Sequence, residues 1–300
     1  MNGVLIIDKP QGFTSFDVIA VVRRLTGQRK TGHTGTLDPN ATGVLPVLLG
    51  NATKAQDLIV NHDKRYTADF RLGLTTDTLD IWGQMKTETE SRCTQAQVEA
   101  VLPRFCGDIE QLPPMFSAVK QNGQRLYDLA RQGREVARAK RRVTVYGLVL
   151  TAFDEAAQCG TLHIECSKGT YVRTVIDDIG AALGTGAVMT ALRRTAACGY
   201  TLDDCITLDE LRTLSEQGSV AQVLRPTESL FVWYEALTVS DAQAKRFCNG
   251  AALDVSRTAL RGKTGPDGAR FRIKNTAGSF LGLGVVQDGE IKVFKLFATV

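Results

Sequence analysis

The chain has 300 residues, of which 43% are apolar and 23% are charged, and its net charge is +4. These proportions are typical of a globular protein and exclude collagen-like, low-complexity and wholly disordered chains. The sequence has no apolar stretch approaching the ~20 residues that cross a bilayer and no signal-peptide pattern, so we expect a cytoplasmic protein with no membrane partner. The seven cysteines are odd in number and form no Cys-x-x-Cys pair, which disfavours a disulfide framework or a zinc cluster.

The N-terminal third is predicted to alternate between strands and a helix. Apolar or alternating segments predict strands at 3–8, 44–49 and 66–72, and the last of these places Tyr66 on its apolar face. A polar, glycine-rich loop is predicted at 28–43. Thr14 and Ser15 are predicted to cap a helix that ends at Gly27. Its apolar face is predicted to contain Phe16, Val18, Ile19, Val22 and Leu25.

The middle of the chain continues this mixture of strands and helices. A capping box at Thr94 predicts a helix to about Phe105, and Asn122-Gly123 after the run 116–120 predicts a hairpin followed by a short helix. Strands are predicted at 142–150 and 161–166, a helix at 170–184 and another after Thr207. Because the strands and helices do not alternate strictly, we expect an α+β fold with a largely antiparallel sheet flanked by helices.

One segment carries the whole positive excess of the chain. Residues 120–142 contain eight basic and two acidic residues, which leaves the rest of the chain slightly acidic. Such a run suits a phosphate backbone, although from charge alone a solvated protein face is the more common explanation.

The C-terminal part is predicted to form a separate, small β-rich unit. The stretch 218–235 has no periodicity, and we place the domain boundary there, giving domains at 1–235 and 236–300 with a basic hairpin insertion at about 115–143. The second domain is predicted to begin with a helix capped by Ser240 and to contain a turn at Asp288-Gly289 between two strands.

Two segments contain the residues best suited to chemistry. Residues 32–43 form a loop rich in glycine and small hydroxyl residues whose only carboxylate is Asp38, and residues 166–173 end in Arg173. From composition alone, Asp38 could simply form a turn before Pro39, and Arg173 could be a surface charge. If the two side chains meet, the pairing would keep Asp38 ionised and make it a competent nucleophile. The usual nucleotide motifs are absent and the three histidines are dispersed, so we expect neither a metal nor a cofactor.

Several ordered blocks of residues resemble the bacterial tRNA pseudouridine-55 synthases, the TruB family. The resemblance spans residues 3 to about 200, and the tail from about 236 resembles the PUA-type RNA-binding domain that ends these enzymes. The blocks are Asp8-Lys9-Pro10-x-Gly12-x-Thr14-Ser15, Gly32-His33-Thr34-Gly35-Thr36-Leu37-Asp38-Pro39-x-Ala41-Thr42-Gly43, Lys64-Arg65-Tyr66, Leu72-Gly73-x-x-Thr76-Asp77-Thr78-x-Asp80, Ser167 to Arg173 and Leu192-Arg193-Arg194.

The resemblance implies a pseudouridine synthase fold and an isomerase that breaks the N1–C1′ bond of a tRNA uridine and rejoins the base through C5. By motif position, Asp38 is similar to the catalytic aspartate, Tyr66 to the aromatic residue that stacks on the base, and Arg173 to the arginine that pairs with the aspartate. Four further positions match residues that bind or surround the target nucleotide. They are His33, Tyr171, Leu192 and Lys9. Without the resemblance, these residue types at these positions would ordinarily be explained by packing in the core, by hydrogen bonding in an exposed loop or by a turn.

In this interpretation the basic segment holds the tRNA backbone near the T-arm loop, and the protein is a monomer with an accessory role in tRNA folding. The expected backbone contacts are Lys120, Arg125, Arg131, Arg134, Arg138, Arg141 and Arg142. Two other classes of function stay open: a noncatalytic RNA-binding protein, and a nucleoside or glycoside hydrolase that would need a second acid. Whether Asp38 attacks C6, attacks C1′ or starts an elimination at the ribose also stays open.

Overall fold

A computed structural model describes residues 1–59, 63–121, 123–261 and 267–298. The α-helices within these ranges are α1 (Ser15–Thr26), α2 (Gln95–Val101), α3 (Leu126–Arg131), α4 (Val172–Leu183), α5 (Leu208–Glu216) and α6 (Asp241–Cys248). The strands are β1 (Gly3–Lys9), β2 (Thr31–His33), β3 (Thr42–Leu49), β4 (Lys64–Leu72), β5 (Leu74–Thr76), β6 (Met85–Glu88), β7 (Gly107–Gln111), β8 (Lys120–Gln121), β9 (Gln124–Arg125), β10 (Arg141–Asp154), β11 (Cys159–Cys166), β12 (Ala187–Ala197), β13 (Tyr200–Thr201), β14 (Glu235–Thr238), β15 (Leu253–Asp254), β16 (Arg270–Lys274), β17 (Phe280–Gln287) and β18 (Glu290–Leu296).

A nine-stranded, largely antiparallel sheet forms the centre of the larger part of the protein. Its strands follow the order β1-β3-β12-β4-β11-β10-β7, with β2 and β13 attached at the side. The one parallel contact along this order joins β3 to β12 through Thr42 and Gly43. Gly43 has a φ of +101°, and a Cβ there would lie 2.2 Å from the carbonyl oxygen of Arg194. Only glycine therefore allows these two strands to approach so closely. The predicted α+β class with an antiparallel sheet is confirmed.

Different helices cover different strands of the sheet. Helices α2 and α4 cover strands β4, β10, β11 and β12, where the core contains Phe70, Ile164, Val175 and Met189. Helices α1 and α5 cover β1 and β3 on an adjoining core, and the alternate residues of these two strands belong to a third apolar cluster. Strand β3, which follows the loop containing Asp38, is thus buried on both sides.

Helix α1 begins and ends as its sequence predicts. Thr14 and Asp17 form a reciprocal capping box, and Gly27 adopts the left-handed conformation that closes the helix. The predicted apolar face is wrong at one position, because the Phe16 side chain is 61% exposed whereas Val18 and Val22 are fully buried. At 3.6 residues per turn, Phe16 is roughly 120° from Val22 around the helix. Its place outside the core follows from this geometry.

Other predictions differ from the structure at their boundaries. The loop predicted at 28–43 contains the short strand β2, which pairs with β3. The run 116–120 is not a strand except at Lys120, which begins β8; the hairpin partner β9 and helix α3 follow as expected, and Asn122 of the predicted turn lies outside the described residues. Strand β12 was not predicted.

The C-terminal part forms a second, five-stranded sheet in the order β14-β16-β17-β18-β15. It has its own core around Phe247, Ile273 and Ile291. A further apolar cluster joins the two sheets: Phe231, Phe280 and Phe297 pack together, and their cluster includes Val4 and Ile6 of β1. Within the described ranges, the helices are all too short or too polar to span a membrane.

Candidate active site

The loop between β2 and β3 is held in place from both sides of Asp38. On one side, the Ser15 hydroxyl accepts a hydrogen bond from the Leu37 amide at 2.9 Å. On the other side, the Lys9 ammonium donates to the Pro39 carbonyl at 3.0 Å and also to the carbonyls of Pro10 and Phe13. The first turn of α1 and the end of β1 therefore fix the position of the carboxylate between them.

Asp38 forms an ion pair with Arg173. One guanidinium nitrogen, Nη2, lies 3.0 Å from Asp38 Oδ2, and the side chains are 5% exposed for Arg173 and 41% exposed for Asp38. Arg173 lies in the first turn of α4 and donates from Nη1 to the Thr78 carbonyl and from Nη2 to the Phe116 carbonyl. These neutral acceptors fix the guanidinium plane, so the arginine presents one nitrogen to Asp38 in a defined direction.

A second carboxylate, Asp80, lies on the far side of Arg173. Its Oδ2 is 3.8 Å from Arg173 Nη1, and its Oδ1 accepts hydrogen bonds from the Thr78 hydroxyl and the Trp82 amide. Burial raises the pKa of the Asp80 carboxyl, and the hydrogen bond from Thr78 opposes that rise. Asp80 is 14% exposed at its side chain, and the negative charge of Asp38 contributes to the rise in its pKa.

Asp38 and Arg173 open into a cavity of about 370 Å³. Tyr66 and Leu192, 7% and 8% exposed, lie on adjacent strands of the sheet and line the same cavity. The remaining lining residues come mainly from segments 34–37, 117–118 and 168–172. Burial raises the pKa of the Tyr66 phenol to about 12, so the ring is neutral at physiological pH. A cavity of this size, with an apolar aromatic side and several charged residues in its lining, suits a single planar polar ring.

Arg194 lies beneath this cavity and is fully buried. Its Nε donates to the Val44 carbonyl at 2.7 Å, and its Nη2 donates to the Gly35 carbonyl at 3.2 Å. Its positive charge also acts on the Tyr66 phenol and opposes the rise in its pKa that burial causes. The guanidinium thus joins β3 to the loop that contains Asp38.

Tyr171, the residue directly before α4, lines the cavity. Its backbone amide donates to Gln111 Oε1 at 2.7 Å, and its carbonyl accepts from Gln111 Nε2 at 3.0 Å. Gln111 is 1% exposed and ends the edge strand β7. This pair of hydrogen bonds fixes the backbone that leads into Arg173.

His33 and Lys9 lie beside the cavity and are not part of its lining. Lys9 is fully buried, and burial lowers the pKa of its ammonium to about 8. The His33 ring packs edge to face on Phe16 at 5.7 Å, and its Nδ1 is buried without a hydrogen-bond partner among the described residues. Burial, with the nearby charge of Arg194, lowers the pKa of His33 and favours the neutral imidazole.

The basic segment lies next to the cavity, and its side chains fall into two groups. Arg138 donates to the Pro113 carbonyl and to Glu135, and Arg125 donates to the Tyr127 hydroxyl, so both are engaged within the protein. The basic side chains that are exposed to solvent are Lys120, Arg131, Arg134, Lys140, Arg141 and Arg142.

Helix α4 contributes two carboxylates to a second cavity, of about 360 Å³, under this segment. Asp177 and Asp178 line it together with Arg134 and Arg138. Burial and the neighbouring charge of Asp177 raise the pKa of the Asp178 carboxyl to about 6. The segment therefore rests on an acidic helix surface.

Sequence reasoning missed three residues that organise the site: Asp80, Gln111 and Arg194. Asp80 and Arg194 lie in two of the blocks that resemble the family, Leu72 to Asp80 and Leu192-Arg193-Arg194. Their position in these blocks could have identified them as site residues. Gln111 carried no signal, because one amide at the end of a short strand is unremarkable in sequence.

Comparison with known proteins agrees with this architecture. The model of the TruB family pseudouridylate synthase N-terminal domain matches residues 23–172. The tRNA pseudouridylate synthase B C-terminal domain matches 173–232, and the pseudouridine synthase II TruB C-terminal domain matches 236–297.

Relatives and solved structures extend the match over nearly the whole chain. A tRNA pseudouridine synthase B of Pseudomonas paraeruginosa is 41% identical, over 97% of this chain and 94% of its own length. One of Lactiplantibacillus plantarum is 42% identical, over 89% of this chain and 88% of its own. The crystal structure of a Cbf5-Nop10-Gar1 complex contains a chain with 25% identity and a TM-score of 0.74, covering 99% of this chain and 85% of that one. The chain therefore belongs to the TruB family of pseudouridylate synthases.

Proposed function

We propose that this protein converts uridine 55 in the T-arm loop of tRNA to pseudouridine, with Asp38 as the catalytic carboxylate and without a cofactor. The observation that carries the proposal is the pairing of Asp38 with a buried arginine, 3.0 Å away, in a cavity with Tyr66 on its wall. The relatives named tRNA pseudouridine synthase B support tRNA as the substrate. Position 55 follows from the resemblance of the motifs.

The reaction exchanges one glycosidic bond for another. The N1–C1′ bond breaks, a C5–C1′ bond forms, C5 loses its proton and N1 gains one, so the product is an isomer. A base cannot react at its own ribose inside a stack, and the uridine must be flipped out at a cost of a few kcal/mol. Tyr66 supplies the aromatic face on which the flipped base stacks, and Leu192 packs beside it.

Asp38 is poised to act on the flipped nucleotide. Arg173 orients the carboxylate, and its bonds to Thr78 and Phe116 prevent the guanidinium from turning away. Three routes use the same carboxylate: attack at C6 of the base, attack at C1′ of the sugar, and elimination at the ribose. Each begins with Asp38 ionised.

The direct test is incubation with unmodified tRNA transcript followed by mapping of pseudouridine. We expect product at position 55 with the wild-type protein, and none with Asp38→Asn, while the affinity for tRNA stays nearly unchanged. Substantial isomerisation by the Asn variant would exclude the proposed role of Asp38. Release of free uracil would instead identify a hydrolase, with Asp57, the other carboxylate that lines the cavity, as the candidate for its second acid.

The exposed arginines of the basic segment are proposed to hold the tRNA backbone. Replacing Arg131, Arg134, Arg141 and Arg142 with alanine should weaken binding and reduce the slope of log K against log salt by roughly 0.7–0.9 for each phosphate that is no longer neutralised. Arg138→Ala is the matched control within the segment, since its guanidinium is bound to Pro113 and Glu135. A full salt slope in the fourfold variant would refute the proposal.

The same surfaces support two further parts of the proposal. The division into a catalytic domain at 1–235 and an RNA-binding domain at 236–300 follows the change from one sheet to the next. An accessory role in tRNA folding would persist without chemistry, so an Asp38→Asn protein should still accelerate the refolding of a denatured tRNA transcript. Refolding at the rate of the protein-free transcript would refute that role.

A further inference from the structure

Two exposed phenylalanines, Phe13 and Phe16, lie at the start of α1, and the Phe16 ring contacts the half-buried ring of His33. Among the described residues, Phe13 and Phe16 are the only phenylalanines with exposed side chains, at 36% and 61%. Both are in or next to the first turn of α1. An exposed phenylalanine on a surface is ordinary by itself, so its significance depends on where it is held.

The first turn of α1 is fixed to the loop that contains Asp38. Ser15, directly before Phe16, exchanges hydrogen bonds with the backbone of Leu37, directly before Asp38. Lys9 connects the Phe13 carbonyl to the Pro39 carbonyl, directly after Asp38. The backbone at Phe13 and Phe16 is therefore held by the same contacts that hold the loop on both sides of the carboxylate.

The ring of Phe16 is also oriented. It meets His33 at 5.7 Å with the planes at 83°, and His33 directly precedes Thr34, which lines the cavity. Because burial favours the neutral imidazole, the pair behaves as two aromatic rings set at a right angle. Because Phe16 is 61% exposed, a face of its ring stays accessible to solvent, and a planar partner can stack on it.

We propose that Phe16 stacks on a nucleobase that neighbours the target uridine in the RNA. The inference rests on the proposed function, which brings a flipped uridine into the cavity and so leaves its neighbours unstacked at the cavity mouth. Unpaired bases stack on aromatic side chains independently of their sequence. Phe16 replaces the stacking partner that the neighbouring base loses when the uridine leaves the loop.

Three substitutions separate stacking from simple apolar packing. Phe16→Ala should weaken the binding of unmodified tRNA about five- to 150-fold, the range expected when one base–aromatic stack is removed. Phe16→Trp should bind like the wild type, and Phe16→Leu, which is apolar but has no ring, should resemble Phe16→Ala. All are measured in the Asp38→Asn background, so that no turnover occurs. Trp233→Ala, which removes another aromatic side chain at 58% exposure before the second sheet, is the control and should bind normally.

A tRNA with a single abasic nucleotide identifies the stacked base. The abasic site is placed in turn at the two nucleotides on each side of the target, and each RNA is tested with Phe16 and Phe16→Ala. At one position, the two changes together should weaken binding no more than either alone, because both remove the same stack. Independent effects at every position, normal binding by Phe16→Ala, or normal binding by Phe16→Leu would overturn the proposal. Pseudouridine mapping with the wild-type protein tests the proposed function separately, so the two failures are distinguishable.

Discussion

Arg173→Lys tests whether the fixed guanidinium plane is what makes Asp38 effective. The arginine uses both terminal nitrogens. Nη2 lies 3.0 Å from Asp38 Oδ2 and donates to the Phe116 carbonyl at 2.9 Å, while Nη1 donates to the Thr78 carbonyl at 2.8 Å. A lysine has one ammonium nitrogen on a flexible stem and cannot occupy both places. We expect it to satisfy the buried carbonyls and to lose its directed bond to Asp38, although the charge itself is kept.

The expected effect follows from the strength of one charged hydrogen bond. Such a bond contributes about 1.5–3 kcal/mol, which corresponds to about a ten- to 160-fold slower chemical step. Affinity for tRNA should change less than about threefold, because the Arg173 side chain is only 5% exposed and offers little to phosphates. The effect should therefore be confined to the rate on bound RNA.

The assay is a single-turnover measurement of pseudouridine formation with excess protein, alongside equilibrium tRNA binding. Arg272→Lys is the matched control, since Arg272 is a half-buried arginine that pairs with Glu228 at 2.9 Å in the second sheet. Its single-turnover rate should equal that of the wild type. An Arg173→Lys protein as fast as the wild type, or one whose whole defect is in tRNA affinity, would refute the reasoning.

Three further predictions concern groups around the site. Arg194→Lys should lower the free energy of unfolding by about 2–4 kcal/mol in urea titrations, because the carbonyls of Val44 and Gly35 lose buried donors; an unchanged midpoint would contradict this. Because Tyr66 is proposed to stack on the base as a neutral phenol, single-turnover rates between pH 6 and 9 should lack the tenfold rise per pH unit that catalysis by a phenolate with a pKa of about 12 would give. The pKa of Asp178 is raised from its usual value of 3.8 to about 6, so the folded state holds this proton more tightly than the unfolded state, and stability falls as pH rises between those two values. Asp178→Asn should therefore stabilise the protein by about 1–2 kcal/mol at pH 8, after allowance for solvent screening of a half-buried group, and much less at pH 4.5; equal effects at both would exclude this origin.

Local rules in the sequence predicted most elements of the fold. Capping boxes at Thr14, Thr94 and Thr207 begin helices where expected, and the turn Asp288-Gly289 joins β17 to β18. These signals work because each is satisfied by hydrogen bonds within a few residues. The loop containing Asp38 was recognisable for a different reason, its resemblance to a family.

Features that depend on distant partners were not predictable. Strand β12 reads Ala-Val-Met-Thr-Ala-Leu-Arg-Arg, without clear alternation, because Ala187, Val188 and Met189 are buried in succession and Arg194 is buried against a carbonyl of another strand. The ion pair between Arg173 and Asp80 likewise joins residues 93 positions apart in the chain. Phe16 was predicted to lie on the buried face of α1 but is exposed. The spacing of apolar residues does not show how wide the buried face of a helix is.

The cluster of Phe231, Phe280 and Phe297 gives the C-terminal sheet a second structural role. Because these rings cover Val4 and Ile6 of β1, the last residues of the chain shield one of its first strands. A protein truncated after residue 235 would expose part of that strand and become less soluble. The C-terminal sheet therefore stabilises the first sheet as well as carrying its own core.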